Sequence, residues 1–226
     1  MLKELLQAVF PTTCACCGEV LAAGERQVCV ECLSRMATTG YSKTTDNMIE
    51  RRLLGRVPCK AATAIFHFRQ GDTVRQMVHA MKFRSCTELC LMMGRTMGMD
   101  IMAGGRFDSV DLLLPVPLHW RRRLERGYNQ SELLCRGIAE VMPRPIETHA
   151  LLRHRYTGKQ SRQGRSARST NVEGAFRVQR PERLEGRHVL LVDDVLTTGA
   201  TLTACADALA TVPGILISVA TFSAAD

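Results

Sequence analysis

Apolar positions along this chain follow two rhythms, and their alternation sets the architecture. Ala61–Phe68 is almost continuously apolar over eight positions, which predicts a buried strand. Val74, Met77, Val78 and Met81 follow at i, i+3, i+4 and i+7 and predict a helix. A second helix is expected over Thr87–Met99. Its methionines suit either core packing or a soft binding surface. Val110–Val116 (VDLLLPV) reads as a buried strand running into a proline-containing loop, and Ser131–Val141 as a helix. Then come a short strand at Ala175–Val178, a strongly apolar strand at His188–Val192, a helix over Gly199–Leu209 and a last strand at Ile215–Phe222. Strands that alternate with helices and are apolar on both faces predict an α/β fold with a parallel sheet flanked by helices. There is no internal repeat.

The polar stretches divide the chain. Residues 36–60 read as a connector, with Thr38-Thr39-Gly40 and Thr44-Thr45-Asp46-Asn47 as turn or cap material. Residues 153–174 lack apolar periodicity and read as a long loop. A loop of that length in a compact domain is functional or disordered. Leu2, Leu5, Leu6 and Val9 predict a short helix packed on the body. The same stretch lacks the continuous apolar run and cleavage site of a signal peptide. No apolar run reaches the roughly 20 residues of a membrane span. The expected organisation is a helix and cysteine module over 1–35, a connector over 36–60 and the main domain over 61–226.

Ten cysteines without a signal peptide point to a reducing, cytoplasmic setting, where paired cysteines bind metal more often than each other. Cys14-x2-Cys17 and Cys29-x2-Cys32 stand 11 residues apart. Two such knuckles supply four thiolates for one tetrahedral, closed zinc site, structural or partner-binding. A module of about 25 residues buries too little core to fold unaided, so the metal would supply the missing stability. Cys16 competes with Cys17 for the knuckle, but the x2 spacing favours Cys17. The other cysteines read as small buried residues.

The net charge is +8, and its whole excess lies between Trp120 and Thr170, where 12 Lys and Arg face 4 Glu. Such a surplus suits a polyanion. Arg121, Arg122, Arg123 and Arg126 form one group. Arg153, Arg155, Lys159, Arg162, Arg165 and Arg168 form another in the long loop. A few of these cations suffice to neutralise one small phosphate ligand, and the rest is solvated surface or a contact for nucleic-acid phosphates, with Trp120, Tyr128 and Tyr156 as the nearby aromatics. His119 is open to two readings, a general acid or phosphate contact and a structural residue beside a proline loop.

The segment HVLLVDDVLTTGATL carries the most chemistry. Its strand delivers Asp193 and Asp194, and Thr197-Thr198-Gly199-Ala200-Thr201 then opens a helix. A helix start presents free N–H groups and a positive dipole end to a phosphate. Gly199 lets the backbone approach closely, and the threonines add hydroxyl donors. The two acids would repel that phosphate and are better used on sugar hydroxyls, directly or through a metal ion. No GxxxxGK[ST] occurs, which excludes a P-loop ATPase.

This segment resembles the phosphoribosyl-pyrophosphate (PRPP) signature of type I phosphoribosyltransferases. PVPLHWRRRLERGYNQSELL at 115–134, GKQSRQGRSARSTNVEGAF at 158–176 and the cysteine pairs extend the resemblance over nearly the full length to the ComF family. That family includes competence and GntX-like proteins and is often labelled amidophosphoribosyltransferase-like. The resemblance implies a type I phosphoribosyltransferase fold with a small amino-terminal zinc module. It implies that Asp193 and Asp194 bind the ribose hydroxyls of Mg2+-bound PRPP and that Thr197–Thr201 hold its 5-phosphate. Val116, Pro117, Leu118 and His119 would lie against the pyrophosphate, and the basic loop with Arg162, Arg165 and Arg168 would close over the substrate. Lys82 matches a lysine–aromatic pair of the family to which the resemblance gives no role. Many relatives carry a second set of paired cysteines; here Cys59 stands alone, so one zinc is expected. Two functions follow. One is transfer of phosphoribosyl to an unidentified acceptor with release of pyrophosphate, with ammonia needed if an amine is made, since no glutaminase domain fits in 226 residues. The other is a non-enzymatic module acting on single-stranded DNA with DNA-uptake or recombination proteins.

Overall fold

The computed structural model describes residues 11–69, 72–83, 86–155 and 174–225. In chain order its elements are α1 (Val30–Ser34), α2 (Met48–Leu53), β1 (Cys59–Phe68), α3 (Thr73–Phe83), α4 (Thr87–Gly104), β2 (Leu112–Pro115), α5 (Trp120–Arg126), α6 (Gln130–Val141), β3 (Leu151–Arg153), β4 (Phe176–Val178), β5 (His188–Leu196), α7 (Ala200–Leu209) and β6 (Leu216–Ala225). The expected parallel sheet is present, in the order β1-β6-β5-β2. Strands β3 and β4 form a separate antiparallel ribbon.

Strand β5 shows why this sheet must be covered on both sides. Leu190 and Val192 join the core on the face of α3, α4 and α6. Val189 and Leu191 join the core under α2 and α7. A strand turns successive side chains to opposite faces, so an unbroken apolar run fills two cores at once. Of the methionines of α4, Met93 and Met97 are buried in this packing and Met92 lies against it, while Met99 and Met102 are exposed. Helices α4 and α6 cross at glycines: a Cβ on Gly137 would stand 2.3 Å from the Leu91 carbonyl oxygen.

Three differences from the sequence reading matter for the site. Strand β5 runs on to Leu196, because Asp193, Val195 and Leu196 keep their register with Thr221, Ser223 and Ala224 of β6. The acids are therefore part of the strand. The connector holds α2, capped by the Asn47 side chain on the N–H groups of Ile49 and Glu50 and rooted by fully buried Ile49 and Leu53. Six residues are too few to show a period. Helix α5 has no buried residue, so hydrophobic spacing had nothing to report there. The short helix expected at residues 1–10 lies outside the described residues. Among those described, no helix is long and apolar enough to cross a membrane.

Candidate functional site

Ligands of open parallel sheets bind beyond the carboxyl ends of the strands. There the structure has a cavity of about 340 Å³. Strand β5 contributes Asp193 and Asp194, the loop after β2 contributes Val116, Pro117 and Leu118, and the turn into α7 contributes Thr197 and Thr201. These are residues named from the sequence. Lys82 at the end of α3, Arg126 at the end of α5, Arg153 at the end of β3, and Gln130 and Ser131 at the start of α6 also line the cavity.

The two acids are not equivalent. The Asp193 carboxylate accepts from Ser131 Oγ at 3.1 Å and from the Asp194 N–H at 2.9 Å. Burial, and then the charge of Asp194, push its carboxyl up to about 7 despite those bonds. Asp194 is paired with Lys82, Nζ to Oδ2 at 2.9 Å, with both side chains largely buried. Lys82, to which the family resemblance gives no role, lines the cavity and pairs with the second acid.

The segment Gly127–Ser131 assembles this site. Gly127 ends α5 with φ 81°, in the left-handed region. Tyr128 Oη donates to the Met81 carbonyl at 2.7 Å, and Gln130 Nε2 donates to the same oxygen at 3.2 Å. Both bonds fix the end of α3 beside Lys82. Asn129 caps α6 through the Ser131 N–H and donates from Nδ2 to the Val116 carbonyl at 3.0 Å, which holds the loop after β2. A cap-forming Asn ahead of an apolar-periodic helix was readable from the sequence. The contacts to Met81, Val116 and Asp193 span 13 to 62 positions and had no local signal.

The turn at 197–201 is bent as the sequence required. Gly199 has φ 82°, and a Cβ there would meet Leu53 Cδ2 at 3.3 Å. Thr198 Oγ1 accepts from the Ala200 N–H at 3.4 Å at the start of α7. Thr198, Gly199 and Ala200 form the turn between the two lining threonines.

Two half-buried arginines complete the walls. Arg126 donates to Gln130 Oε1 at 2.9 Å and lies 5.6 Å from the Phe83 ring centre. Arg153 lies 5.4 Å from the Phe176 ring centre. Burial lowers the pKa of both. His119 is not among the lining residues. It is 4% exposed and caps α5 by accepting from the Arg121 N–H at 3.3 Å. Burial and then the charge of Arg121 hold its pKa below the ordinary imidazole value. The structural reading of His119 is the one its position fits. Arg162, Arg165 and Arg168 lie outside the described residues.

At the other end of the chain, Cys14, Cys17, Cys29 and Cys32 come together, with all four Sγ atoms within 4.8 Å of one another. Cys17 and Cys29 are 3.8 Å apart, close to the roughly 3.8 Å edge of a tetrahedron with Zn–S bonds near 2.3 Å. The donor set fits a metal ion. Sγ of Cys14 accepts from the Cys29 N–H and Sγ of Cys29 from the Cys32 N–H, both at 3.4 Å. At Cys14 burial works against ionisation, but the N–H groups of Cys17, Cys29 and Cys16 outweigh it and bring the thiol down to about 6. Burial pushes Cys16 up to about 12, in keeping with its place outside the set. Cys14, Cys32, Val28 and Met36 join the core under α3, α4 and α6, so the module is packed on the body. A surface groove of about 510 Å³ runs beside it between Pro11 and Gln27, but none of the residues named for ligand or metal line it.

Residues 133–225 match the phosphoribosyl transferase domain family. The chain is similar to DNA utilization protein YhgH of Escherichia coli O6:H1, 29% identical over 88% of this chain and 91% of that protein. It is also similar to competence protein ComFC of Bacillus subtilis, 39% identical over 42% of this chain and 36% of the relative. Among solved structures, one titled as the allosteric regulatory enzyme of purine biosynthesis aligns with a TM-score of 0.40 at 19% identity. That alignment covers 63% of this chain and 26% of the other.

Proposed function

Given that the chain belongs to the ComF family and carries a phosphoribosyltransferase domain, we propose that the strand-end cavity binds Mg2+-bound PRPP and transfers its phosphoribosyl group to an acceptor with release of pyrophosphate. One observation carries this reading: a bent helix start, a pair of strand carboxylates and three cations from separate segments line or border a single cavity. The amides and hydroxyls of Thr197–Thr201 receive the 5-phosphate. Asp193 and Asp194 accept hydrogen bonds from the ribose hydroxyls, and substrate exchanges Asp194's bond to Lys82 for its own. Arg126 and Arg153, with the backbone of Val116–Leu118, face the pyrophosphate, whose departing charge they stabilise. Mg2+ enters with the substrate and supplies further neutralisation. Burial of the cations matters, because an unscreened charge stabilises a developing anion far more than one in water. The four-cysteine cluster takes one structural zinc, and the reducing cytoplasm suits its thiolates. A screen for pyrophosphate release from PRPP with free bases, ammonia and DNA as acceptors tests the activity. Release that depends on one acceptor supports transfer, and a chain that binds no PRPP refutes it.

A second reading has an observation of its own. Helix α5 has no buried residue and shows Trp120 at 59% and Leu124 at 75% exposure, with Arg121 5.2 Å from the Trp120 ring centre. An aromatic ring beside arginines suits a base of single-stranded DNA and its phosphates. Such contacts would accord with the names of the relatives in DNA utilization and competence. Trp120 is the chain's single tryptophan, so its fluorescence reports on α5 alone. Salt-sensitive quenching by oligonucleotides supports DNA binding there, and unchanged emission at low salt rules it out.

A further inference from the structure

The turn that receives the phosphate is held by residues outside the matched phosphoribosyl transferase segment. Arg52 Nη1 of α2 donates to the Thr197 carbonyl oxygen at 3.1 Å, and also to the Ala225 carbonyl oxygen at the end of β6. Arg56, just beyond α2, donates from Nη1 to the Thr198 carbonyl oxygen at 3.0 Å. Leu53, between them, lies against the space where Gly199 would carry a Cβ. Three side chains from one turn of chain thus hold three consecutive residues of the loop.

The consequence follows from peptide geometry. In a trans peptide the C=O and the next N–H point in opposite directions, and the chain has no cis bonds among the described residues. Drawing the Thr197 carbonyl toward Arg52 turns the Thr198 N–H away from α2. Drawing the Thr198 carbonyl toward Arg56 does the same for Gly199. Neither N–H has a protein acceptor among the described residues. Left alone, the two carbonyl oxygens could rotate toward the anion and repel it. Capped by guanidinium groups, they cannot, and the cations add attraction from behind the loop.

The platform is rigid enough for this. Ile49 and Leu53 are fully buried. Asn47 donates to the carbonyls of Thr44 and Ala62 at 2.8 and 2.9 Å, and Glu50 accepts from the Ala62 N–H at 3.0 Å while pairing with Arg106. Helix α2 is therefore fixed to β1, and its arginines start from a fixed base.

We infer that Arg52 and Arg56 are positioning residues that orient the Thr198 and Gly199 amides toward the 5-phosphate of the bound sugar phosphate. This rests on the PRPP reading of the cavity. The test is calorimetry on the full chain with three probes: Mg2+-PRPP, ribose 5-phosphate and Mg2+-pyrophosphate. Arg56 is exposed and holds one carbonyl, so Arg56→Gln keeps the fold, which unchanged thermal unfolding verifies. This variant is expected to weaken PRPP and ribose 5-phosphate about tenfold while pyrophosphate affinity stays within about twofold, since one charge-assisted bond behind one end of the site is lost. Arg56→Lys should recover part of the loss, and Arg52→Gln combined with Arg56→Gln should deepen it. A parent protein that binds neither PRPP nor ribose 5-phosphate overturns the functional reading beneath the inference. A parent that binds both, with Arg56→Gln binding equally well or losing pyrophosphate in parallel, overturns the inference alone.

Discussion

The cysteine cluster and the strand-end cavity both gather groups suited to a charged ligand, and they do so in opposite ways. The cluster takes its four thiols from 14 to 32, and their Sγ atoms converge within 4.8 Å. The cavity draws on chain segments from Phe68 to Thr201, each delivered by a different element. A site made of near neighbours depends on its ligand for its shape. A site made of distant segments depends on the core that already holds them, so losing one group weakens binding without dissolving the site.

The largest effect should fall on the cluster. Cys29→Ser replaces a sulfur ligand by a hydroxyl, while serine can still cap α1 by accepting from the Cys32 N–H, so the loss falls on the metal set. One zinc per chain is expected in the parent by elemental analysis, and Cys29→Ser should lose it along with most soluble protein. A fully folded, metal-free parent would contradict the zinc reading.

The cavity should respond more selectively. Gly199→Val puts a β-branched residue at φ 82° against Leu53. PRPP affinity should fall about 100-fold or more, as backbone strain of a few kcal/mol reshapes the loop. Zinc content should not change. Loss of zinc in this variant would erase the contrast between the two sites.

Asp193→Asn separates binding from stability. The folded chain raises this carboxyl to about 7, from an ordinary 3.8. The folded state therefore holds a proton that the unfolded state gives up, and the group's contribution to stability falls as pH rises from about 4 to about 7. The amide removes that penalty. Asp193→Asn should unfold several degrees higher than the parent near pH 8 and about equally near pH 4, while its PRPP affinity drops. Equal melting temperatures at both pH values would show that Asp193 is not strained in the empty cavity.

The smallest effect should come from Tyr128→Phe, which loses one bond to the Met81 carbonyl and leaves Gln130 on the same oxygen. A change of about 1 kcal/mol is expected in stability, with a few-fold loss in PRPP affinity as Lys82 loosens. An unchanged affinity would detach Lys82's placement from the Tyr128 bond.

The same contrast explains what could be read without a fold. Apolar runs and 3.6-residue spacing report burial, so strands β1, β2, β4, β5 and β6 and the helices α3, α4, α6 and α7 were visible, while the three-residue β3 was not. The knuckles and the turn at 197–201 were visible because their chemistry is contiguous. Helices α2 and α5 were hidden, one by its length and the other by having no buried face. The partners of Lys82 and Ser131 were hidden because each rests on contacts to distant segments, and the basic surplus did not single out Arg126 and Arg153 as the arginines that line the cavity. His119 follows the loop after β2, and its Nδ1 caps α5, a role that hydrophobic spacing does not report.

The cavity lined by Asp193, Asp194 and Thr201 is the proposed PRPP site on which the other expectations depend. The direct measurement is titration of the zinc-loaded chain with Mg2+-PRPP by calorimetry, beside Asp193→Asn/Asp194→Asn. The parent should saturate at about one PRPP per chain, and the double variant should bind at least about tenfold more weakly, since both acceptors for the ribose hydroxyls are altered. No saturable binding by the parent, or equal binding by the double variant, would contradict the central claim.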